Sequence, residues 1–201
     1  MVTGSEIAGV ILAGGRATRM GGGDKGLLPL AGRPMLAHVI ARLAPQVGAL
    51  ALNANGDPSR FAGFGLPVLA DPVPDHPGPL AGVLAGMDWA AGLGFGLIVT
   101  VSADTPFLPP DLVARLVPGP FALAASPDAT GALRRHPTLG LWPVALREEL
   151  RRALVSGERK VGRWAAEHGA RSVPFPEAPD PFFNINTPED LRIAEARFRT
   201  P

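Results

Sequence analysis

The sequence predicts a single α/β domain with a three-layer αβα arrangement, a mainly parallel sheet lying between helices. Three observations carry this reading. Short, nearly continuous apolar runs recur at 7–12, 49–53 and 97–101, as expected of strands buried on both faces. Segments with helical apolar spacing separate them, so successive strands are joined by right-handed crossovers. The 201 residues, 46% hydrophobic and 18% charged, suffice for one sizeable core and argue against a disordered chain.

In chain order, 7–12 is the first strand and runs into a glycine-rich stretch from Gly14 to Gly26. Pro34 suits the first turn of a helix whose Met35, Leu36, Val39, Ile40 and Leu43 form an apolar stripe. Residues 49–53 form the second strand and 67–70 a short third one. Leu80, Val83, Leu84 and Met87 mark a helix ending near Gly92. The run 97–101 is short, β-branched and bounded by Gly96 and Pro106, which makes it a strand. In the second half, strands are expected at 121–125, 138–142 and 182–185, and helices at 145–155 and 161–168. The last helix opens with Thr187 as N-cap and Pro188 at its first position. Glu189 and Asp190 follow near its positive end. The 23 prolines and 25 glycines are spread among these elements instead of forming a linker, so 1–201 reads as one domain.

A formal net charge of +1 gives no overall attraction to nucleic acid or to an acidic membrane. With no cysteine in the chain, disulfides, thiolate metal sites and cysteine nucleophiles are excluded together. The first six residues lack the pattern of a signal peptide, and no uncharged apolar run is long enough to span a bilayer. The expected location is the cytoplasm, with neither nucleic acid nor membrane as partner.

The segment Leu12-Ala-Gly-Gly-Arg-Ala-Thr-Arg-Met-Gly-Gly-Gly-Asp-Lys25 carries most of the functional information. A strand that runs into glycines brings bare backbone N–H groups close to a ligand, where they cradle phosphate oxygens. Arg16, Arg19 and Lys25 can neutralise a polyphosphate. It is not a Walker A loop, because Lys25 is preceded by Asp24 and followed by Gly26. The G-x-G-x-x-G match from Gly21 to Gly26 begins too far beyond the strand for a dinucleotide fingerprint, which disfavours a nicotinamide-dependent dehydrogenase.

The order Leu-Ala-Gly-Gly, Arg-Met-Gly and lysine resembles the signature loop of the nucleotidyltransferases that activate sugar phosphates and cofactors. Asp24-Lys25-Gly26 followed by Gly32-Arg-Pro34 resembles the molybdenum cofactor guanylyltransferase branch of that family. The resemblance implies a Rossmann-like nucleotidyltransferase fold, with an N-terminal part that binds GTP and a C-terminal part that binds the acceptor. It continues in order through Asn53-Ala-Asn55, Asp71-Pro72, Gly78-Pro-Leu-Ala-Gly82, Asp104-Thr-Pro106, His136-Pro-Thr138 and Asn184-Ile-Asn186-Thr-Pro188. On those positions it implies that Leu12, Ala13, Gly14, Gly15, Gly22, Lys25, Asn53, Asp71, Asp104, Asn184 and Asn186 contact substrate. It also implies a Mg²⁺ ion on Asp104 and catalytic roles for Arg19, Lys25 and Asp104.

The chemistry of the residues agrees. In open α/β sheets ligands gather at the carboxyl ends of the strands, where Gly14, Asn53, Asp71 and Asp104 all fall. Mg²⁺ needs only one or two carboxylates beside phosphate oxygens. Asp71 could accept the paired donors of guanine, or equally contact the ribose. Asn184 and Asn186, two apart, would share one face of a strand. The implied reaction is attack by the phosphate of molybdopterin on the α-phosphorus of GTP, followed by release of pyrophosphate. The resemblance further implies contacts with molybdenum-insertion and cofactor-handover proteins. The glycine loop alone does not separate GTP from CTP, or molybdopterin from a sugar phosphate. A non-catalytic nucleotide-binding module would not need Lys25 and Asp104 together.

Overall fold

The computed structural model describes residues 3–14, 23–73 and 78–199. One seven-stranded sheet organises them. Its strands are β1 (Ile7–Leu12), β4 (Ala49–Asn53), β5 (Val68–Leu69), β6 (Leu97–Ser102), β7 (Ala122–Pro127), β8 (Leu133–Pro143) and β9 (Arg171–Pro174), in the order β5-β4-β1-β6-β8-β7-β9. Neighbours pair in parallel, except that β8 runs antiparallel to both β6 and β7. A small antiparallel hairpin, β2 (Pro29–Leu30) and β3 (Arg33–Pro34), stands apart. Its turn places Ala31 at φ 48° and Gly32 at φ 80°. The left-handed Ala31 conformation is disfavoured for an L-residue, and its N–H is held by Glu195 at 2.8 Å.

Alternation along β1 explains the layers. Ile7 and Ile11 enter one core with Leu36, Val39 and Leu43 of α1 (Met35–Leu43) and with Leu112 and Leu116 of α3 (Leu112–Leu116). Ala8, Val10 and Leu12 enter the other. There they meet Leu80, Val83 and Met87 of α2 (Pro79–Gly92), Leu150 of α4 (Arg147–Val155) and Trp164 of α5 (Val161–Glu167). The last helix, α6 (Pro188–Arg199), packs apart from both. Its Ala194 is buried with Leu30, Met35 and Ile185.

The buried hydroxyl of Thr100 on β6 joins the reversed strand to the parallel ones. It accepts from the Trp142 indole N–H at 2.8 Å and donates to the Thr138 carbonyl at 2.9 Å, so its polarity is satisfied inside the core.

The structure corrects the sequence reading in four places. Residues 182–185 are not a strand. Phe182 and Ile185 are pinned in two different cores, and the Ile185 N–H bonds a loop carbonyl, Asp104 O, at 3.1 Å. Strand β8 begins at Leu133, well before 138, and its exposed first residues lack the apolar pattern that would have announced them. Edge strand β9 and short helix α3 went unread, since only Val173 of β9 is buried and α3 spans little more than one turn. Pro34 caps α1 from the hairpin instead of entering its first turn.

Candidate active site

The site lies where β1, β4, β5 and β6 end. Backbone pairing continues one residue past the strands: Ala13 N–H donates to Asn53 O at 2.8 Å, Ala54 N–H to Leu69 O at 3.0 Å and Ala103 N–H to Leu12 O at 3.1 Å. The loops beyond then diverge and leave a cavity of about 360 Å³. Leu12, Gly14, Asn53, Asn55, Asp71 and Thr138 are among its lining residues. A Cβ on Gly14 would meet open space, so the bare backbone of this residue faces the cavity.

The polar wall of this cavity is a closed cluster. Asn53 Nδ2 donates to Asp71 Oδ1 at 2.9 Å and to Leu69 O at 3.0 Å. Asn55 grips Asp71 at two points, donating from Nδ2 to Oδ2 at 2.7 Å and accepting the Asp71 N–H at 2.8 Å. Each carboxylate oxygen of Asp71 accepts one bond and retains a lone pair for a ligand. Gly82 of α2 makes this packing possible. A Cβ there would stand 2.1 Å from Asn53 Oδ1 and 2.8 Å from Leu12 Cδ2, which explains the small residue in Gly78-Pro-Leu-Ala-Gly82.

Beside the cavity stands a charged node. Lys25 opens a short 3₁₀ turn, and its buried ammonium donates to Asp104 Oδ2 at 2.5 Å and to Asn186 Oδ1 at 2.5 Å. The other oxygen of Asp104 accepts from Ser102 Oγ at 2.6 Å and Asn184 Nδ2 at 3.3 Å. The turn that carries Asp104 is fixed by the buried Thr105 hydroxyl, bonded to Ser102 O at 2.8 Å. Asp190 in turn accepts from the N–H groups of Asn186 and Thr187, both at 2.8 Å, and its own N–H returns to Thr187 Oγ1 at 3.1 Å. This reciprocal cap holds the segment 184–186 in place. Burial opposes ionisation of Asp190, but these hydrogen bonds and the Lys25 charge outweigh it and hold its carboxyl below the usual range.

A second cavity, of about 560 Å³, opens on the far side of the node. Arg134, His136, Thr138, Phe183, Asn184 and Asn186 are among its lining residues. Thr138 thus faces both cavities. A bulge sets this wall: between paired positions β8 advances from Arg135 to Gly140 while β7 advances only from Ala125 back to Leu123. Pro137, which has no N–H to give to a ladder, falls inside the bulge. His136 is buried, with Nε2 2.7 Å from Ser126 Oγ, and burial holds its pKa below the usual histidine value. The exposed side chain of Arg134 makes no hydrogen bond or close ion pair among the described residues, its charge acting only at longer range on Asp128 and His136.

Comparison with known proteins decides the family. The model of the MobA-like NTP transferase domain matches residues 9–172. Proteins from Bradyrhizobium sp. and Rhodopseudomonas palustris, both named molybdenum cofactor guanylyltransferase, are 54% and 56% identical to this chain. The matches cover 96% and 92% of the chain and 93% and 91% of the relatives. This chain belongs to the MobA-like NTP transferase family. Solved structures agree on the fold. Molybdopterin-guanine dinucleotide biosynthesis protein A from Archaeoglobus fulgidus superposes with a TM-score of 0.74 at 23% identity, covering 97% of this chain and all of that one. A nucleotidyl transferase from Methanothermobacter thermautotroptrophicus gives 0.70 at 24% identity, covering 97% and 99%.

Within this MobA-like domain the predicted residues Leu12, Gly14, Asn53 and Asp71 gather on the first cavity, with Ala13 in the adjoining backbone ladder. Lys25, Asp104, Asn184 and Asn186 converge on the node. Gly15, Arg16, Arg19 and Gly22 lie outside the described residues. The two asparagines meet the node from a segment without regular secondary structure, not from the strand their spacing suggested. Sequence reasoning missed Ser102, Asn55 as distinct from Asn53, and the capping role of Asp190. The signal for Asp190 was present in the Thr-x-x-Asp spacing from Thr187. Among the described residues no helix is long and apolar enough to cross a membrane.

Proposed function

We propose that the protein transfers GMP from GTP to the phosphate of molybdopterin, releasing pyrophosphate and forming molybdopterin guanine dinucleotide. The observation that carries this reading is the placing of the Lys25–Asp104–Asn186 node between two cavities that share Thr138. A transferase of this kind needs a donor chamber and an acceptor chamber that meet at the reacting phosphorus. The close relatives, named for the guanylyltransferase reaction, support the choice of substrates.

GTP occupies the first cavity in this reading, its guanine or ribose toward Asp71 and its phosphates along the glycine-rich loop. Gly15, Arg19 and Gly22 are assigned to the triphosphate on the resemblance of the loop. The acceptor enters through the second cavity, so its phosphate oxygen approaches the α-phosphorus in line. The new O–P bond forms as the bond to the β-phosphate oxygen breaks, and pyrophosphate leaves with that electron pair. No side chain needs to become covalently attached. Lys25 contributes by exchanging Asp104 for the leaving phosphates, whose growing charge it neutralises.

The donor set suits Mg²⁺. The carboxylate of Asp104 and the amide oxygen of Asn186 are hard oxygen ligands. An ion held by these two groups would complete its shell with phosphate oxygens and water. When bound there the ion would polarise the phosphoryl group. The reading places the reaction in the cytoplasm, and the product then passes to a cofactor-handover or molybdenum-insertion protein.

Transfer from α-labelled GTP, and separately CTP, to molybdopterin in the presence of Mg²⁺ tests the assignment. Label is expected in the pterin product from GTP alone. Label from CTP would move the protein to a sister activity, and transfer from neither would overturn the acceptor.

A further inference from the structure

Asp24, immediately before Lys25, places a negative charge inside a loop whose other charged groups suit a polyphosphate. Its carboxylate faces Arg60, with Nε 2.5 Å from Asp24 Oδ2. That Nε is sealed from solvent and makes no aligned hydrogen bond, so the contact is a close ion pair. The rest of the guanidinium is anchored on the donor side. Nη2 donates to Asn55 O and Nη1 to Asp57 O, both at 2.5 Å, and the guanidinium carbon lies 4.7 Å from the centre of the Phe61 ring. Asp57 is itself fixed as a cap, accepting from Ser59 N–H at 2.9 Å and Ser59 Oγ at 2.6 Å. Asn55, whose carbonyl holds Arg60, is the residue whose side chain clamps Asp71.

We propose that Arg60 is a positioning residue for the donor triphosphate: it neutralises Asp24 and pins the lysine turn to the Asn55 wall of the donor cavity. This rests on the reading of that cavity as the GTP site. Asp24 is one peptide away from Lys25, which is about 3.8 Å between Cα atoms. A bare carboxylate there repels a triphosphate through a partly buried, weakly screened path. Arg60 touches the base-facing cluster only at the Asn55 backbone carbonyl, and it takes no part in the bonds that the Asn53 and Asn55 side chains make to Asp71. Its loss therefore acts on the phosphates and spares the nucleoside.

The test is a charge cycle read by steady-state kinetics and by equilibrium binding of GTP and guanosine. Arg60→Gln is expected to raise KM for GTP about tenfold, with kcat within about twofold and guanosine affinity unchanged. Asp24→Asn in the Arg60→Gln background should recover most of that loss, and Arg60→Lys, which keeps the charge, should show a smaller rise in KM. Equal loss of guanosine and GTP binding in Arg60→Gln would make the residue merely structural and overturn the proposal. Failure of the double variant to recover would overturn it as well. Absence of GTP binding by the unaltered protein would instead overturn the functional reading on which the proposal rests.

Discussion

The ammonium of Lys25 sits 2.5 Å from Asp104 Oδ2, the carboxylate that the functional reading gives to a metal ion. Both groups are largely shielded, with side-chain exposures of 11% and 14%. A shielded charge without a partner is costly, so each stabilises the other in the nucleotide-free protein. In the functional reading proposed above, binding of Mg·GTP would supply both replacements at once, cation for Asp104 and phosphate for Lys25.

Lys25→Ala removes the group that the proposed mechanism sets against the leaving pyrophosphate. We expect kcat to fall by about 10²- to 10³-fold, the usual effect of losing one aligned donor to developing charge. KM for GTP should change less. Single-turnover measurement of pyrophosphate release checks this.

Asp104→Asn keeps the shape of the side chain but removes its charge. Activity at saturating Mg²⁺ should fall by roughly 10³-fold or more, as expected where a metal stabilises several kcal/mol of charge. Titration of the unaltered protein and the variant with Mn²⁺ in the presence of GTP would reveal the weakened ion binding.

Gly82→Ala drives a methyl group into Asn53 Oδ1 and Leu12. Overpacking of this kind costs about 1–3 kcal/mol of stability. Because Asn53 lines the first cavity, which the functional reading gives to GTP, KM for GTP should rise while KM for the acceptor holds. Denaturant unfolding and paired kinetics separate the two effects.

Arg134→Ala should do the opposite, raising KM for the phosphate-bearing acceptor several-fold and leaving GTP unaffected. Arg134 lines the second cavity and its side chain makes no hydrogen bond or close ion pair among the described residues, and an exposed charge-assisted contact is worth about 1 kcal/mol.

Acid should destabilise the fold beginning near neutrality. Burial lowers the pKa of His38 and of His136 from the ordinary 6.5. Both are therefore neutral in the folded state at a pH where the unfolded chain already binds protons. Stability is fully present above pH 6.5 and is lost as pH falls through the folded values. Thermal melts from pH 8 to pH 5 should show Tm declining in the lower half, and His136→Gln should flatten part of that decline.

The parallel half of the sheet was legible because β1, β4 and β6 are short apolar runs separated by helical periods. Asn53, Asp71 and Asp104 were legible with it, since each ends or closely follows a strand. The second half was harder for physical reasons. Strand β8 carries Arg134 and Arg135 in its exposed opening turn of chain, so no apolar pattern announced it. The segment 182–185 is apolar because Phe182 and Ile185 are anchors in separate cores, which mimics a strand in composition. Asn184 and Asn186 were found through their motif, while the spacing argument for them assumed a ladder that does not form. Asn55 and Arg60 act through Asp71 and Asp24, distant in sequence, and local pattern does not record such pairings; Ser102 bonds Asp104 only two residues on, but a serine in an apolar strand carries no signal of that role.

The reversal of β8 has a consequence for how substrate choice can diverge. Because this strand runs backwards, its amino end reaches the same rim of the sheet as the carboxyl ends of its parallel neighbours. One wall of the second cavity is thus delivered by a hairpin whose exposed tip, Asp128 to Ala132, bears on neither core. Changes in the length or chemistry of that tip can therefore shift the strand that walls the second cavity while the first cavity, built on the parallel strands, stays as it is.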